Sequence, residues 1–358
     1  MSPVNAAHQS PLRVVVAGLG NMGRSHALAY HTNPGFEIAA LVNRSDVRLP
    51  AGMEKYAIRR SFEDALRDEK PDVASINTYS DSHAEYAVKA LEAGCHVFVE
   101  KPLATTVADA ERVVAAAKAN GRKLVIGYIL RHHPSWIRLI AEARGLGGPY
   151  VFRMNLNQQS SGPTWATHRQ LMETTSPIVD CGVHYLDVML QITDARPVEV
   201  RGMGVRLSDE IKPDMYNYGH LQVLFDDGSV GWYEAGWGPM MSETAFFVKD
   251  VISPKGCVSI VMSDSAKSDD IDTHTKTNII RVHRAVTGAD GRFTSPDENL
   301  SMRDEPDHQG LCDREQAFML KAVRDNLDLS RHMSDAVRSL AVCLAADESV
   351  RTGKVVRL

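Results

Sequence analysis

Two short clusters hold the side chains that are best suited to move a proton. Asp180 and His184 are four residues apart, so on a helix both would project from one face and could act on the same substrate atom. His184 has a reference pKa near neutrality and can shuttle a proton, while Asp180 could orient it or bind a hydroxyl. Lys101, within Glu100-Lys101-Pro102, could act as an acid, a base or an electrostatic anchor for a hydroxyl or carbonyl oxygen.

Simpler interpretations of these residues stay open on the sequence alone. Asp180 could only cap a helix, and Lys101 could be a surface lysine at the edge of a loop, as most lysines are. Asp180 and His184 could also bind a metal ion. Two ligands without a nearby third are weak evidence for such a site, so no metal is predicted.

A glycine-rich segment near the start of the chain has the pattern of a dinucleotide-binding loop. Gly18, Gly20 and Gly23 form Gly-x-Gly-x-x-Gly between a predicted strand and a predicted helix, with Asn21 and Met22 inside the loop. The first glycine permits a tight turn, the second lets the backbone approach a pyrophosphate, and the third lets the helix pack closely. The N–H groups and dipole at the helix N-terminus would face the phosphates. The alternative is a glycine-rich turn without a ligand.

The end of the second strand indicates which nicotinamide cofactor the loop would bind. NAD enzymes usually present Asp or Glu to the adenosine ribose about 20 residues after the last glycine. This chain instead has Asn43-Arg44-Ser45, and Arg44 with Ser45 could hold a 2′-phosphate. The pattern therefore favours NADP over NAD. Because Asn43 can bond a ribose hydroxyl and Asp46 lies close by, both cofactors stay open.

Alternating strands and helices around this loop predict an α/β fold with a doubly wound parallel sheet. The pattern places helices on both faces and Lys101 at the carboxyl edge of the sheet, where ligands bind in such folds. The predicted strands are 12–18, 37–43, 72–78, 96–99 and 123–128. The predicted helices are 21–31, 61–67, 81–93 and 107–119.

After about residue 131 the pattern changes to strands with few helices between them. This predicts a largely antiparallel sheet, and Asp227-Gly228 is a hairpin turn signal. The predicted strands are 150–158, 198–207, 220–225, 229–237 and 246–252. A polar, loop-rich stretch is predicted at 264–299, and helices at 313–326 and 334–351.

Composition excludes several classes of function. The net charge of −5 gives no basic field for nucleic acid or an anionic membrane. The five cysteines are dispersed without a Cys-x-x-Cys pair, so neither a disulfide framework nor a zinc cluster is predicted. The N-terminus lacks an export signal, and no apolar run approaches the roughly 20 residues of a membrane helix. We therefore expect a cytoplasmic protein with a small-molecule partner.

The glycine loop, Glu100-Lys101-Pro102 and Asp180-x-Gly182-x-His184, in this order and spacing, resemble the Gfo/Idh/MocA oxidoreductases. That family includes glucose–fructose oxidoreductase and inositol dehydrogenase, and the resemblance covers nearly the whole chain. It implies a Rossmann domain at 1–131 and, at 132–358, a substrate-binding and oligomerisation α/β domain with a large open, mostly antiparallel sheet. It also implies a homodimer or homotetramer.

The resemblance further implies roles for individual residues. Lys101 and His184 would handle the hydroxyl proton, Asp180 would help to position the substrate, and Glu100 would lie near the nicotinamide. The segment 78–83 resembles the family's cofactor-side loop, with Thr78, Ser80 and His83 as candidates. The candidate substrate-binding residues beside Lys101, Asp180 and His184 are Arg131, Arg153, Asn157, Trp165 and His168. Weaker candidates are His132, Asn155, Gln159, Trp237 and His308.

The function predicted from these observations is NAD- or NADP-dependent hydride transfer at a secondary alcohol or ketone carbon of a sugar or cyclic polyol. Three alternatives are kept. One is a redox-neutral NAD-dependent glycoside hydrolase, and another is a non-catalytic NAD(P)-binding sensor. The third is a reductase of the same family that acts on an imine or a dihydrodiol.

Overall fold

The computed structural model describes residues 10–242, 247–262, 267, 269 and 277–358. Two compact units make up the chain. The first contains residues up to Glu100 together with Arg112–Gly127 and Cys312–Leu329. The second contains Lys101–Glu111, Tyr128–Leu311 and Ser330–Leu358. The division into domains at residue 131 stays a prediction.

The first unit contains a six-stranded parallel sheet with the strand order β3-β2-β1-β4-β5-β6. This is the Rossmann order, and it confirms the predicted doubly wound parallel sheet. The central strands are almost wholly apolar because helices cover both of their faces. The strands are β1 Leu12–Ala17, β2 Phe36–Val42, β3 Ile58–Arg59, β4 Val73–Ile76, β5 His96–Val99 and β6 Leu124–Ile126.

The helices that follow these strands agree with the predicted ones to within a few residues at each end. They are α1 Asn21–Thr32, α2 Phe62–Glu69, α3 Ser80–Glu92 and α4 Val107–Ala119. A later helix, α8 His308–Arg324, adds Met319 and Ala322 to the core around Val14, Val16 and Tyr30. The Rossmann core therefore includes a segment from the far end of the chain.

The second unit contains a nine-stranded sheet with the order β14-β13-β12-β11-β7-β10-β9-β8-β15. All neighbouring strands are antiparallel except β7 and β10, which confirms the predicted mostly antiparallel sheet. The first strands are β7 Val151–Gln159, β8 Pro197–Val205, β9 Tyr218–Phe225, β10 Val230–Gly238 and β11 Lys249–Ser253. The others are β12 Gly256–Val261, β13 Ile279–Arg284, β14 Glu298–Ser301 and β15 Val356–Arg357.

Helices α5 Pro134–Leu146, α6 Gly162–Leu171, α7 Pro177–Ile192 and α9 Ser330–Thr352 belong to the second unit. Helix α7 packs on β10 and against α9, and all but two of its sixteen residues are buried. The chain also forms a short 3-10 helix at Ile129–His132. None of the described helices combines the length and the apolar character that crossing a membrane would require.

The structure differs from the sequence prediction in several places. Helices α5 and α6 were not predicted, and neither were β3, β12 and β15. The stretch 264–299, expected to be loop-rich, contains β13 and the first two residues of β14. The buried Ile280 and Val282 alternate with polar side chains in β13, whereas β14 is mostly polar. Part of that stretch, residue 246 of the predicted strand 246–252 and residues 1–9 lie outside the described residues.

Candidate active site

The glycine loop of the first unit has the tight geometry that its sequence predicts. Gly18 has φ +83°, and a Cβ there would lie 2.5 Å from the carbonyl oxygen of Asn77. A Cβ on Gly23 would overlap the carbonyl oxygen of Gly18. Only glycine therefore allows β1, β4 and α1 to approach each other this closely. By contrast, nothing lies within 4 Å of a Cβ built on Gly20, so the backbone there faces open space.

The residues after β2 hold the glycine loop and present positive charge. Asn43 Oδ1 accepts a hydrogen bond from the backbone N–H of Leu19 at 3.0 Å, so this side chain braces the loop. The Asn43 amide also donates to Ser45. Arg44 is exposed, and its guanidinium donates to the hydroxyl of Tyr86 at 3.3 Å. The tyrosine hydroxyl raises the pKa of Arg44, which stays fully charged.

The predicted cofactor-side loop lies next to the glycine loop. The backbone N of Thr78 is 2.7 Å from the Cβ position of Gly18. Thr78 Oγ1 accepts a hydrogen bond from Ser82, and His83 Nε2 is 3.0 Å from the Thr78 carbonyl oxygen. Ser80 is the first residue of α3 and is buried. The structure therefore brings these predicted residues together with the glycine loop.

Glu100 directly follows β5 and is buried in the first unit. Its Oε1 is 2.6 Å from Nε2 of His26, and both side chains are buried. Gly127 leaves room for the carboxyl, because a Cβ there would lie 3.2 Å from it. No pattern in the sequence links Glu100 to His26, and the predicted position of Glu100 near the nicotinamide stays a prediction.

The second unit brings Lys101 and Asp180 into an ion pair. Lys101 Nζ is 2.9 Å from Asp180 Oδ2 and 3.2 Å from the Asp180 carbonyl oxygen. The exposed fractions of the two side chains are 18% and 11%, so solvent screens the pair only partly. Asp180 lies in the first turn of α7, where the helix dipole stabilises a negative charge. Ser176, and not Asp180, caps the helix by accepting a hydrogen bond from Val179 N.

His184 follows Asp180 by one turn on α7, as the spacing predicts. Its ring contacts Tyr128 edge-on, with the ring centroids 5.8 Å apart. Tyr128 is buried, and its hydroxyl is 2.8 Å from Ser339 Oγ. Burial raises the pKa of Tyr128, so this phenol stays neutral and forms a rigid wall beside the imidazole. One turn of α7 thus carries the Asp180 carboxylate and the His184 imidazole, and the Lys101 ammonium is paired with that carboxylate.

One residue near this pair was missed by the sequence analysis. Gln158 of β7 accepts a hydrogen bond from Trp237 Nε1 at 2.8 Å, and its Oε1 is 3.8 Å from Cys181 Sγ. Cys181 Sγ is in turn 3.7 Å from Asp180 Oδ2. Gln158 therefore belongs to the polar chain that begins at Lys101. Strand alternation was the available signal, because Gln158 shares a face with the apolar Phe152 and Met154.

The structure does not bring Arg153 and Asn157 to Asp180. They alternate with Gln158 along β7, so they lie on the sheet face away from α7. Arg153 pairs with Asp250 at 3.4 Å, and Asn157 bonds to Glu234. The weaker candidates Asn155 and Gln159 share this outer face, where each bonds to a backbone group.

Arg131 is held by two acids within the second unit. Its Nε and Nη2 bind both carboxylate oxygens of Asp187, at 2.8 Å and 2.5 Å, and Nη2 also bonds to Asp335 at 2.9 Å. These carboxylates raise the pKa of Arg131 despite its burial. This guanidinium therefore joins the 3-10 helix to α7 and α9. Its predicted role in substrate binding stays a prediction.

The two predicted aromatic candidates are also engaged within the fold. His168 stacks on Trp237 with ring centroids 4.4 Å apart, and its Nδ1 is 3.0 Å from Ser160 Oγ. Trp165 is buried and donates to Glu210 at 3.1 Å. Trp237 is 1% exposed, so it supports its neighbours and does not offer a face to a sugar. His132 is the last residue of the 3-10 helix, His308 is the first residue of α8, and both are half-buried.

Two family models match this chain. The model described as an oxidoreductase family with an NAD-binding Rossmann fold matches residues 12–128, and the model of the GFO/IDH/MocA C-terminal domain matches residues 136–247. The chain belongs to the Gfo/Idh/MocA oxidoreductase family. This confirms the resemblance found in the motifs.

Curated members of the Gfo/Idh/MocA family match one half of the sequence. Inositol 2-dehydrogenase from Salmonella typhimurium is 31% identical over 186 residues, which are 50% of this chain and 53% of the relative. D-glucoside 3-dehydrogenase from Escherichia coli is 31% identical over 196 residues, 52% of this chain and 56% of the relative. The chain thus spans about half the length of the curated relatives it matches. The crystal structure of myo-inositol 2-dehydrogenase from Lactobacillus plantarum is 18% identical, covers 97% of this chain and 99% of its own, and has a TM-score of 0.77, which supports the shared fold.

The first unit fits the dinucleotide that its family model implies. Helix α1 begins at Asn21 without a side-chain cap and has no acidic residue in its first turn, so its first N–H groups suit a pyrophosphate. The open space at Gly20 allows the approach. The residues that would hold the cofactor are Gly18, Gly20, Asn21, Met22, Gly23, Asn43, Arg44, Ser45, Thr78, Ser80 and His83.

Proposed function

We propose that this protein is an NAD(P)-dependent dehydrogenase that transfers a hydride between nicotinamide and a secondary alcohol or ketone carbon of a sugar or cyclic polyol. The observation that carries the proposal is the partly buried Lys101–Asp180 ion pair with His184 one helical turn away. Binding of a dinucleotide does not require this set, whereas oxidation of an alcohol does, because a proton must leave the hydroxyl as the hydride leaves the carbon. The relatives named for inositol and glucoside dehydrogenation support the substrate class.

Each residue of the set has a defined part in the proposed reaction. When bound, nicotinamide would supply the hydride acceptor or donor. Asp180 positions the Lys101 ammonium through its carboxylate and carbonyl oxygens, so that Lys101 can donate an N–H to the substrate oxygen. Histidine has a reference pKa near neutral pH, so His184 can pass the proton of the substrate hydroxyl to solvent. In the reductive direction the same groups return the proton to the carbonyl oxygen. Gln158 extends the polar surface toward further hydroxyl groups of the ring.

We further propose NADP as the preferred cofactor. No acidic residue occupies the position of Asn43, and its side chain is used to brace the glycine loop. Arg44 is exposed, and Arg60 nearby donates to the Asn43 carbonyl oxygen at 3.3 Å, so two guanidinium groups surround the end of β2. Asp46 lies beside them and pairs with Arg60, and the carboxylates of Asp81 and Glu85 are close enough to act on the charge of Arg44. The two guanidinium groups at the end of β2 favour a ribose that carries a 2′-phosphate over one that does not.

The test is the absorbance of reduced nicotinamide with purified protein, NAD and NADP separately, and a panel of inositols, aldoses and sugar lactones. We expect one polyol or sugar to reduce the added cofactor, and NADP to be used more efficiently than NAD. If no compound of the panel reduces either cofactor although the protein binds it, the dehydrogenase proposal fails. Cleavage of a glycoside without net reduction would instead establish redox-neutral hydrolysis.

A further inference from the structure

A buried polar cluster in the first unit is not used by the proposed reaction. It contains His26 of α1 with Cys312, Glu315 and Gln316 of α8, and each of the four is 0% exposed. Cys312 and Glu315 are three residues apart on α8, so they project from the same helix face. One ligand atom from each of His26, Cys312 and Glu315 lies within 4.8 Å of the other two.

The carboxylate of Glu315 is the unusual feature of this cluster. Neither of its oxygens has a hydrogen-bond partner among the described residues, and Oε1 of Gln316 also lacks one there. Burial and the nearby Glu100 carboxylate raise the pKa of Glu315 well above its usual value. An unpaired buried acid costs folding free energy unless it is neutral or a cation compensates it. Within the described part of the chain, three buried oxygen atoms of this cluster therefore have no hydrogen-bond donor.

The bonds of His26 match those of a metal-binding histidine. Its Nε2 is 2.6 Å from Glu100 Oε1, while its Nδ1 points to the Gln316 amide nitrogen at 2.9 Å. Metal-ligating histidines usually donate their second ring N–H to a carboxylate, which fixes the tautomer and makes the free nitrogen more basic. Glu100 would fill this supporting role, and the Nδ1 lone pair would face the metal in place of the Gln316 amide.

We propose that His26 Nδ1, Cys312 Sγ and the Glu315 carboxylate form a structural zinc site that ties α8 to α1 inside the Rossmann unit. Imidazole, thiolate and carboxylate are each established ligands of Zn²⁺. Gln316 Oε1 is available for the fourth position. Zinc ligands in a tetrahedron are separated by about 3.5 Å, given bond lengths of about 2.0–2.3 Å. Side-chain rotations that bring these ligand atoms closer by about 1 Å would therefore complete the site. The two positive charges would balance the Cys312 thiolate and Glu315.

The proposed zinc site takes no part in the proposed hydride transfer. It could not be predicted from the sequence. His26 and Cys312 are separated by most of the chain, so no short spacing pattern links them. Cys312 and Glu315 alone look like two positions of a buried helix face. The fold brings the three together only because α8 packs in the core of the first unit.

The test is metal analysis of the full-length protein after expression with zinc and gel filtration without a chelator. We expect about one zinc ion per chain in the wild type and in Cys95→Ser, a matched control at a buried cysteine of the same unit outside the cluster. Cys312→Ser and Glu315→Gln should lose the bound zinc. Glu100→Gln should weaken zinc affinity about 10–100-fold.

Cobalt substitution gives a second measurement that needs no variant. Wild-type protein freed of zinc and titrated with Co²⁺ should show a thiolate-to-cobalt charge-transfer band and tetrahedral d–d bands. Folded wild-type protein without zinc and without these bands would overturn the proposal and leave Glu315 as a neutral buried acid. Equal zinc content in the wild type and in folded Cys312→Ser would also overturn it.

Discussion

At the scale of single residues, partial burial distinguishes the Lys101–Asp180 ion pair from an ion pair on the surface. Both side chains are mostly buried, so the interaction is stronger than between exposed charges and the ammonium keeps one position. The first turn of α7 adds the helix dipole to the stabilisation of the Asp180 carboxylate. In the proposed reaction, this fixed ammonium and the histidine one helical turn after Asp180 would act on the proton at a substrate oxygen.

Replacing Lys101 should remove this function without unfolding the protein. We expect Lys101→Met to lower kcat/KM for the carbohydrate substrate by about 10²–10⁴-fold, the range typical of a lost general acid–base group. The control is Lys212→Met, which removes an exposed lysine paired with Glu173 in the same unit and should leave kcat/KM unchanged. Steady-state kinetics checks both, and unchanged turnover in Lys101→Met would contradict the assigned role.

We expect the choice of cofactor to depend on Arg44. Arg44→Ala should lower kcat/KM for NADP about 10–100-fold, because a charged hydrogen bond to phosphate contributes about 1.5–3 kcal/mol. The same change should alter kcat/KM for NAD much less, because that cofactor lacks the 2′-phosphate. Arg67→Ala, an exposed arginine on α2 paired with Asp64, is the control. An equal loss with both cofactors would show that Arg44 does not read the 2′-phosphate.

At the scale of elements, most of the strands could be predicted from the sequence, but the face of β7 that packs toward α7 could not. Alternation divides Val151–Gln159 into two sets of side chains, and the polar set of Arg153, Asn155, Asn157 and Gln159 looked the better candidate. The outcome depends on where α7 packs, and a single sequence does not contain this information. Gln158, on the face with the apolar side chains, is the polar residue that meets α7.

Two neighbouring glutamines on β7 offer a direct test of this assignment. Gln158→Ala should raise KM for the carbohydrate about tenfold, the equivalent of roughly 1.4 kcal/mol for a lost hydrogen bond, without changing KM for the cofactor. Gln159→Ala lies on the other face and should leave both constants unchanged. Kinetics with the substrate found in the panel measures this split. The assignment fails if Gln159→Ala has the larger effect on the carbohydrate KM.

The helices show the same limit of sequence-based prediction. The boundaries of α1 to α4 were predictable because glycines and short polar segments end them and apolar strands alternate with them. Helix α5 has a regular pattern, because the buried Trp136, Leu139, Ala143 and Leu146 recur at helical spacing between Pro134 and Gly147, so it could have been predicted. Helix α6 has a less regular pattern, and its stability comes from packing within the second unit, as with the buried Trp165. The Asp180–His184 spacing was informative because α7 is long, capped by Ser176 and buried nearly all round.

At the scale of the whole molecule, the outer face of the nine-stranded sheet is the surface suited to a second copy. Its cross-strand rows place Arg153, Trp232 and Gln222 side by side, next to the exposed apolar Val230 and Leu224. A mixed apolar and polar sheet face of this kind is typical of a protein interface. We expect a homodimer or homotetramer that uses it.

Disrupting this face should change the oligomeric state. Leu224→Glu places a charge at one end of the apolar row that it forms with Val230 and should convert the oligomer to monomers in size-exclusion chromatography with light scattering. The control Ile137→Glu changes another exposed apolar residue, on α5, and should keep the wild-type mass. A wild-type protein that is monomeric at micromolar concentration would contradict the expectation.

The stability of the whole protein should depend on pH through Lys249. This lysine is buried against the rings of Phe247 and Tyr185, and burial lowers its pKa to about 7. Between this value and the ordinary lysine pKa near pH 10, the unfolded chain binds more protons than the folded one, so the free energy of unfolding rises with pH. Below pH 7 the full cost of burying the charge is present.

Lys249→Met removes this ionisation and tests the dependence. The variant should be more stable than the wild type at pH 6, by on the order of a few kcal/mol, and the difference should shrink as pH rises toward 10. Urea denaturation at pH 6, 8 and 9.5 measures it. Lys255→Met, an exposed lysine in the following turn, should show no such trend. A difference that does not change with pH would contradict the assignment.

The most direct test of the proposed function follows one hydrogen atom. The polyol or sugar that reduces the cofactor in the panel is labelled with deuterium at its reacting carbon, and the nicotinamide is analysed after turnover by mass spectrometry and NMR. We predict one deuterium at C4 of the reduced nicotinamide for each molecule oxidised, together with a slower rate for the labelled substrate. Recovery of the deuterium in a carbohydrate product, with no net reduced cofactor, would contradict the dehydrogenase assignment and show a redox-neutral reaction.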